Sequence, residues 1–276
     1  MNSLQIQAPA KINLGLGVMA KRGDGFHEVD TILVRLALHD LITLKAIPRG
    51  IKISSNDIRI PKGKNNLAVQ AAQLYFNASG MQGGIAIDID KKIPVAAGLG
   101  GGSSDAAAVL LGLSRIYPHQ VDLLSLAEKL GSDVPFFVLA IPAARARGRG
   151  ERLHEIDIPV REVVLINPGI EVRSSEAYSA VNNFTPRLEI NTVLAALSGQ
   201  GELRYFNGLQ AGVSRRHASV RSALKVLRGQ KLEGVLMSGS GPTCFGLASG
   251  FESALEIAEK LQSENPKWWV HNTTIG

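Results

Sequence analysis

Residues 94–107 read PVAAGLGGGSSDAA, and this stretch constrains the fold more than any other part of the chain. Gly98, Gly100, Gly101 and Gly102 run through Ser103 and Ser104 directly into a segment rich in Ala and Leu. Alternation over Ile85–Ile89 predicts a strand upstream, and the pattern over Ser104–Leu113 predicts a helix downstream. Glycine admits positive φ and close backbone approach, while the first turn of a helix presents unpaired N–H groups carrying partial positive charge. Strand, glycine turn and helix start in that order make a cradle for phosphate. The alternative is a flexible Gly/Ser linker, but such linkers seldom join an alternating strand to an Ala-rich helix. The cradle residues are Pro94, Val95, Ala96, Ala97, Gly98, Leu99, Gly100, Gly101, Gly102, Ser103 and Ser104.

Three familiar nucleotide schemes do not fit this loop. The Lys-Ser/Thr pair that closes a Walker A sequence is absent. The catalytic-loop and DFG sequences of protein kinases are absent as well. The glycine spacing is not that of a dinucleotide fingerprint, and the loop lies nearly one hundred residues into the chain rather than near its start.

The rest of the chain reads as mixed α+β. Apolar runs at Ile12–Val18 and Ile32–Leu44, separated by the turn-like Lys21–Gly25, predict an opening β meander. Helices are expected over Leu67–Ala78 and Asp122–Leu130, the latter closed by Gly131. A boundary is placed near Asp157, Pro159 and Arg161, dividing the chain into 1–158 and 159–276. Beyond it come a strand Glu162–Asn167 and helices Ser175–Val181, Asn191–Leu197 and Ser214–Leu227. Two strands flanking SGSGPT, a helix Glu252–Gln262 and a strand Trp268–Thr273 complete it. Trp268 and Trp269 are read as packing residues of that last strand. Strands and helices do not alternate as a βαβ series would require.

At 276 residues, with 45% hydrophobic and 20% charged residues, the chain can bury the cores of two lobes. No apolar stretch approaches the roughly 20 residues of a membrane span. Cys244 is the single cysteine, which excludes an internal disulfide and a zinc site of several thiolates, and fits a cytoplasmic location. No signal h-region is seen, and a motif beginning at Pro9 leaves no room for a transit peptide. The surplus of six positive charges is compatible with nucleic acid, acidic membranes or phosphorylated metabolites. Apart from Arg145–Arg152 the basic residues are scattered, without the aromatic-interleaved stripe of a nucleic-acid binder, so neither nucleic acid nor membrane is expected as a partner.

The glycine run, with the proline before it and the alanines after it, resembles the ATP-binding signature of the GHMP kinases. Three further segments support the resemblance in the family's order: PAKINLGLGV at 9–18, GSDVPFF at 131–137 and SGSGPTCFG at 238–246. GDGFHEVDT at 23–31 and ARGRGERL at 146–153 are similar to a branch of the family that phosphorylates a cytidine-diphosphate-linked methylerythritol in isoprenoid synthesis. The resemblance implies an N-terminal lobe like domain 2 of ribosomal protein S5, a ferredoxin-like C-terminal lobe, and both substrates in the cleft between them. It implies ATP as co-substrate, with Mg²⁺ carried by ATP, Ser104 as a candidate contact, and no metal cage supplied by the protein.

Residue by residue, Asp133 matches the family's general base and Lys11 the cation beside it; on sequence alone Asp133 could equally be the N-cap of the helix at Pro135. Asn13 lies two residues beyond Lys11, on the same face of a strand, with a solvent-bonded amide as its alternative role. His27 matches a residue that helps read cytosine, and Phe26 stands where the family usually has tyrosine, so a ring face is kept while a phenol is lost. Tyr178 matches the second ring of the cytosine sandwich; otherwise it is a packed helix residue. Lys91, Lys92 and Asn66 are weaker candidates for nucleotide contacts. Arg145, Arg147 and Arg149 are read as structural or substrate-facing. Asp105 stands where relatives often have asparagine, and a carboxylate beside a triphosphate must face away, cap the helix or meet Mg²⁺.

Overall fold

A computed structural model describes residues 3–276. Two long strands open the chain, β1 (Leu4–Lys21) and β2 (His27–Ile47), paired across the expected turn. They are followed by β3 (Gly50–Ser55), α1 (Leu67–Ser79), β4 (Gly84–Asp90), α2 (Gly101–Ile116), α3 (Leu123–Leu130), α4 (Val134–Leu139), β5 (Ala143–Gly148) and β6 (Arg152–Glu155). Next come β7 (Arg161–Asn167), α5 (Ser174–Ser179), α6 (Ile190–Leu197), α7 (Gln210–Arg216) and α8 (Ala218–Arg228). The chain closes with β8 (Glu233–Met237), β9 (Cys244–Ala248), α9 (Phe251–Glu264) and β10 (Trp269–Ile275).

The chain packs as two compact units that interleave in sequence. The first takes the chain up to Ala10, Leu38–Val95 and Gly100–Ile141; the second takes Lys11–Ala37, Ala96–Leu99 and Pro142–Gly276. A single cut between 158 and 159 does not separate these units. β1 and β2 are long enough to give a segment to each, and the glycine loop gives Ala96–Leu99 to the second.

In the first unit β4 runs antiparallel to the C-terminal part of β2, with Leu41 opposite Asp90, and parallel to β3, with Ile51 opposite Ile85. The period-two pattern buries Ile85, Ile87 and Ile89 of β4 along with Ile42 and Leu44 of β2. Helix α2 buries Ala106, Ala107, Ala108, Val109, Leu110 and Leu113, the pattern of a helix enclosed by its neighbours. Its glycine at 112 is there for space: a Cβ would run into Leu44 Cδ1, so even alanine would cost about 1–3 kcal/mol in overpacking. The helix begins at Gly101, three residues before the expected Ser104. Two glycines in its first turn cost helix propensity, about 1 kcal/mol each, and burial of the turns that follow offsets this. Helix α4 has only six residues but is anchored by Phe136 and Phe137, both buried and packed edge to face at 5.4 Å. Truncating either to Ala would cost about 3–5 kcal/mol. Through that anchor the fold fixes Asp133, the residue just before α4.

In the second unit the strand order is β10-β7-β9-β8, antiparallel throughout, with Trp269 opposite Asn167 and Met237 opposite Cys244. α8 and α9 cover it, sharing a core that includes Val164, Ile166, Val220, Leu224, Leu227 and Leu261. β5 pairs with the first part of β2, Val29 opposite Gly148, and with β6, Arg145 opposite His154. The single helix expected over Ser214–Leu227 is broken at His217, which adopts an extended conformation between α7 and α8. Its Nε2 lies 2.8 Å from Glu176 Oε1 of α5, a long-range tie that helical periodicity does not reveal. Trp268 and Trp269 are half-buried, and Trp269 stacks on His271 at 5.3 Å.

Candidate active site

The glycine loop needs its glycines where the backbone turns left-handed. Gly98 and Gly100 have φ of 74° and 73°, and a Cβ on Gly98 would collide with the Ser238 carbonyl and lie 2.8 Å from that of Gly241. Ala96 adopts φ 53° despite its side chain, a strained conformation of the kind held at ligand-binding loops. The loop is pinned within the second unit: Lys11 N donates to Leu99 O (2.9 Å), Thr243 N to Ala97 O (3.3 Å) and Ser238 Oγ to Gly98 O (3.0 Å). At the start of α2 the N-cap is Gly100, so no side chain caps the first-turn N–H groups. Ser104 Oγ is buried there and makes no hydrogen bond. Pro94, Val95 and Ser103 are half-buried along this path, and Gly102 is exposed.

The first unit holds a network that sequence reasoning missed. Lys91 Nζ donates to Asp40 Oδ2 at 2.5 Å and to Asp105 Oδ2 at 2.8 Å, and all three side chains are buried. Asp40 Oδ1 accepts from the backbone N–H groups of Lys92 (2.6 Å) and Ile93 (2.8 Å). Burial pushes the Asp105 carboxyl up to about 7, against the attraction of Lys91. Burial also opposes the Lys91 charge, but the two carboxylates outweigh it and hold its pKa above the ordinary value. Asp105 therefore faces this core network, which answers the question posed by its position beside the loop. Lys91 is not extended toward a nucleotide, since its ammonium is engaged by the two carboxylates. Asn66 caps α1, accepting from Ala68 N (2.8 Å) and donating to Pro61 O (2.9 Å), so its amide is committed locally. Lys92 is exposed.

The second unit carries Lys11 and Asn13 on one face of β1, both buried. Lys11 Nζ donates to Asn13 Oδ1 (2.7 Å), Asn13 Nδ2 to Thr31 Oγ1 (2.8 Å) and Thr31 Oγ1 to the Gly15 carbonyl (2.6 Å). The SGSGPT segment lies against them: a Cβ on Gly239, whose φ is 54°, would lie 3.0 Å from Asn13 Oδ1 and 3.3 Å from Lys11 Nζ. Asn207 holds that segment, donating to the carbonyls of Met237 (2.8 Å) and Gly239 (2.7 Å). In the first unit, Asp133 occupies the N-cap position of α4, but its side chain makes no capping hydrogen bond. Its carboxylate is thus not spent on the structural role that sequence alone left open.

His27 and Tyr178 come together in the second unit, rings stacked at 5.0 Å with 25° between planes. Burial, and then the nearby Lys21, hold His27 below its ordinary pKa, so the imidazole is neutral at pH 7 and offers one donor and one acceptor. Tyr178 also packs against the core of that unit. Phe26 is 51% exposed, and the Arg149 guanidinium sits 5.0 Å over its ring. Arg145 is structural: its Nε and Nη2 grip buried Asp30 at 2.8 and 2.7 Å, with Arg147 at 3.8 Å. The signal that could have found Asp30 and Thr31 is their polarity inside the otherwise apolar run from Val29 to Val34.

Among the described residues no group of three or more His, Cys, Asp or Glu side chains could hold a metal ion. The buried, unpartnered Ser104 hydroxyl is chemically suited to meet an ion that arrives on phosphate oxygens. No helix among the described residues is long and apolar enough to cross a membrane.

Comparison with known proteins shows the family. Residues 66–140 match the GHMP kinases N terminal domain and residues 191–267 the GHMP kinases C terminal family. The chain is 43% identical over 263 residues to 4-diphosphocytidyl-2-C-methyl-D-erythritol kinase of Thermus thermophilus, covering 95% of this chain and 94% of that one. It is also 43% identical over 274 residues to the kinase of the same name from Deinococcus radiodurans, covering 95% and 90%. A crystal structure of 4-(cytidine 5'-diphospho)-2C-methyl-D-erythritol kinase superposes with a TM-score of 0.89 at 41% identity, covering 99% of this chain and all of that one. The α+β architecture is the GHMP kinase fold, and by this similarity the chain belongs to the 4-diphosphocytidyl-2-C-methyl-D-erythritol kinase family of GHMP kinases and is an ATP-dependent kinase.

Proposed function

We propose that this chain transfers the γ-phosphoryl group of ATP to the 2-hydroxyl of 4-diphosphocytidyl-2-C-methyl-D-erythritol, a step of the non-mevalonate isoprenoid route. The observation that carries the substrate assignment is the His27–Tyr178 stack in the same unit as exposed Phe26, a combination suited to a flat pyrimidine. In this reading the loop 94–104 and the uncapped start of α2 receive the ATP phosphates through backbone N–H groups. Asn13 helps place the acceptor, and Phe26, His27 and Tyr178 hold its cytosine.

Phosphoryl transfer asks little covalent chemistry of the protein; it needs position, a proton acceptor and balance of charge. Asp133 accepts the proton of the acceptor hydroxyl as its oxygen bonds to the γ-phosphorus, and the bond from that phosphorus to the β,γ-bridging oxygen breaks to release ADP. Lys11, oriented by Asn13, offsets charge on the phosphoryl oxygens. Mg²⁺ bound with ATP would neutralise phosphate charge, and the Ser104 hydroxyl would help to hold it. Family lobes of 1–158 and 159–276 are part of the proposal, each containing one of the two matched family regions. So are a cytoplasmic location and the absence of a nucleic-acid or membrane partner.

The test is ADP release in a coupled assay with the cytidyl acceptor, homoserine and mevalonate offered separately. Turnover confined to the cytidyl compound supports the proposal. Turnover with either of the others and none with the cytidyl compound overturns it.

A further inference from the structure

We propose that Asp40 and Lys91 are positioning residues that hold the two feet of the phosphate loop at a fixed spacing, so that ATP meets a backbone cradle already built. The inference rests on the reading of 94–104 as the ATP loop. One foot is the segment Lys92–Ile93, whose two N–H groups both end on Asp40 Oδ1 at 2.6 and 2.8 Å. The other foot is the first turn of α2. There Asp105 takes the Lys91 ammonium at 2.8 Å, and a Cβ on Gly101 would lie 3.0 Å from that same ammonium. Gly101 and Asp105 are four residues apart, hence neighbours on one helix face. Asp40 Oδ2 closes the circuit by accepting from Lys91 at 2.5 Å. One carboxylate thus grips the start of the loop with one oxygen and, through a buried lysine, its end with the other.

Stability alone does not require such a network. Buried ion pairs replaced by uncharged residues of similar size often leave a protein as stable or more so, because the desolvation of the charges disappears with them. What an uncharged set cannot supply is the directional link from one foot to the other. If the feet drift, the loop N–H groups no longer converge, and ATP must order them as it binds.

The triple variant Lys91→Met/Asp40→Asn/Asp105→Asn separates the two roles, since it removes every buried charge of the network at once. The expected result is a Tm close to wild type, with the Kd for ATP, read by calorimetric titration, raised roughly tenfold or more. The KM for ATP should rise much more than kcat falls, and the KM for the cytidyl acceptor should move less than about twofold. An unchanged Kd for ATP would overturn the proposal. Should the triple variant not fold, Asp105→Asn keeps the Lys91–Asp40 pair and weakens only the α2 end; a rise of a few-fold in the Kd for ATP supports the proposal and none rejects it. Gly102→Val tests the underlying reading separately, because a Cβ there meets only Leu67 Cδ1, at 3.8 Å, and touches nothing in the network. If Gly102→Val leaves ATP binding unchanged, the loop reading itself fails; if it weakens ATP while the network variants do not, only the positioning role fails.

Discussion

Lys11 reaches Asn13 across one strand face at 2.7 Å, and the same amide passes on to Thr31 at 2.8 Å, so the lysine is oriented by a relay anchored in β2. Thr31 in turn donates to the Gly15 carbonyl, leaving no slack in the chain. Thr31→Val keeps the shape and removes the hydroxyl, stranding the buried Asn13 amide at a cost of about 1–3 kcal/mol. If Lys11 stabilises the transferring phosphoryl group, kcat should fall roughly tenfold while KM for ATP changes little. Steady-state kinetics of Thr31→Val decide the matter, and a purely structural relay would lower Tm without touching kcat.

Asp133→Asn removes the proposed proton acceptor without taking a cap from α4, because the side chain makes no capping bond to that helix. Turnover should drop by roughly 10²- to 10⁴-fold with ATP still bound. Near wild-type turnover, with ATP binding checked by titration, would reject Asp133 as the base.

The backbone around Lys11 and Asp133 was legible in the sequence. Lys11, Asp133 and the glycine loop stand in short motifs whose local backbone demands are written in neighbouring residues, such as positive φ at Gly98 and the Val-Pro-Phe-Phe run behind Asp133. The apolar runs of β1 and β2 were equally plain, since period-two burial acts over a few residues. Asp40 left no such trace. Its partners lie 51, 52 and 53 residues away along the chain, and an aspartate after a histidine near the middle of a strand looks like a solvent-facing pair. Lys91 and Asn66 are of types that suit a nucleotide, and only the packed structure shows their bonds to Asp40, Asp105 and the α1 backbone. The interleaved units were hidden too, because nothing in a long strand marks where its two halves join different cores.

The loop glycines are not equivalent. Gly98→Ala would meet both a left-handed φ and two backbone carbonyls that cannot swing aside, so it should cost about 2 kcal/mol or more and lower Tm by several degrees. Gly102→Ala sits in the helix with only Leu67 Cδ1 near, at 3.8 Å, and should stabilise by about 0.5–1 kcal/mol. Thermal denaturation of both variants checks the ordering, which would be wrong if Gly102→Ala lost more stability than Gly98→Ala.

Asp30 gives a pH signature. Burial resists its ionisation, but the two Arg145 bonds, with Leu188 N at 3.2 Å, hold its pKa below the ordinary carboxylate value. The folded chain then binds fewer protons at this site than the unfolded one, so the stabilisation is present above about pH 4 and is lost as pH falls through the folded pKa. Asp30→Asn should cost about 3 kcal/mol near pH 7, the low end for a buried pair since Arg145 keeps some solvent. Urea denaturation of both proteins from pH 7 down to 3 should show this gap closing. A gap that stays constant would assign the loss to packing alone.

Base selectivity follows from the His27–Tyr178 stack. Tyr178 and Phe26 offer ring faces, which grip any flat base and are worth about 1–3 kcal/mol each. His27, neutral at pH 7, offers the donor and acceptor that distinguish a cytosine edge from a uracil one, with mispairing costing about 1–3 kcal/mol, or roughly 5- to 150-fold. His27→Ala should therefore raise KM mainly for the cytidyl substrate and narrow its preference over the uridyl analogue. The contact between the rings adds a condition. The imidazole rests on Tyr178 at 5.0 Å, so Tyr178→Ala withdraws its support and should erode the preference partway, in addition to weakening both substrates. Tyr178→Phe keeps the ring and the support, and should leave the cytidyl-to-uridyl ratio of kcat/KM at its wild-type value. In the double variant His27→Ala/Tyr178→Ala the ratio should be no narrower than in His27→Ala, because the reading group is already gone. Measuring that ratio in all four variants tests the placement, and a Tyr178→Phe ratio that moves more than the His27→Ala ratio would mean that His27 is not the group that reads the base.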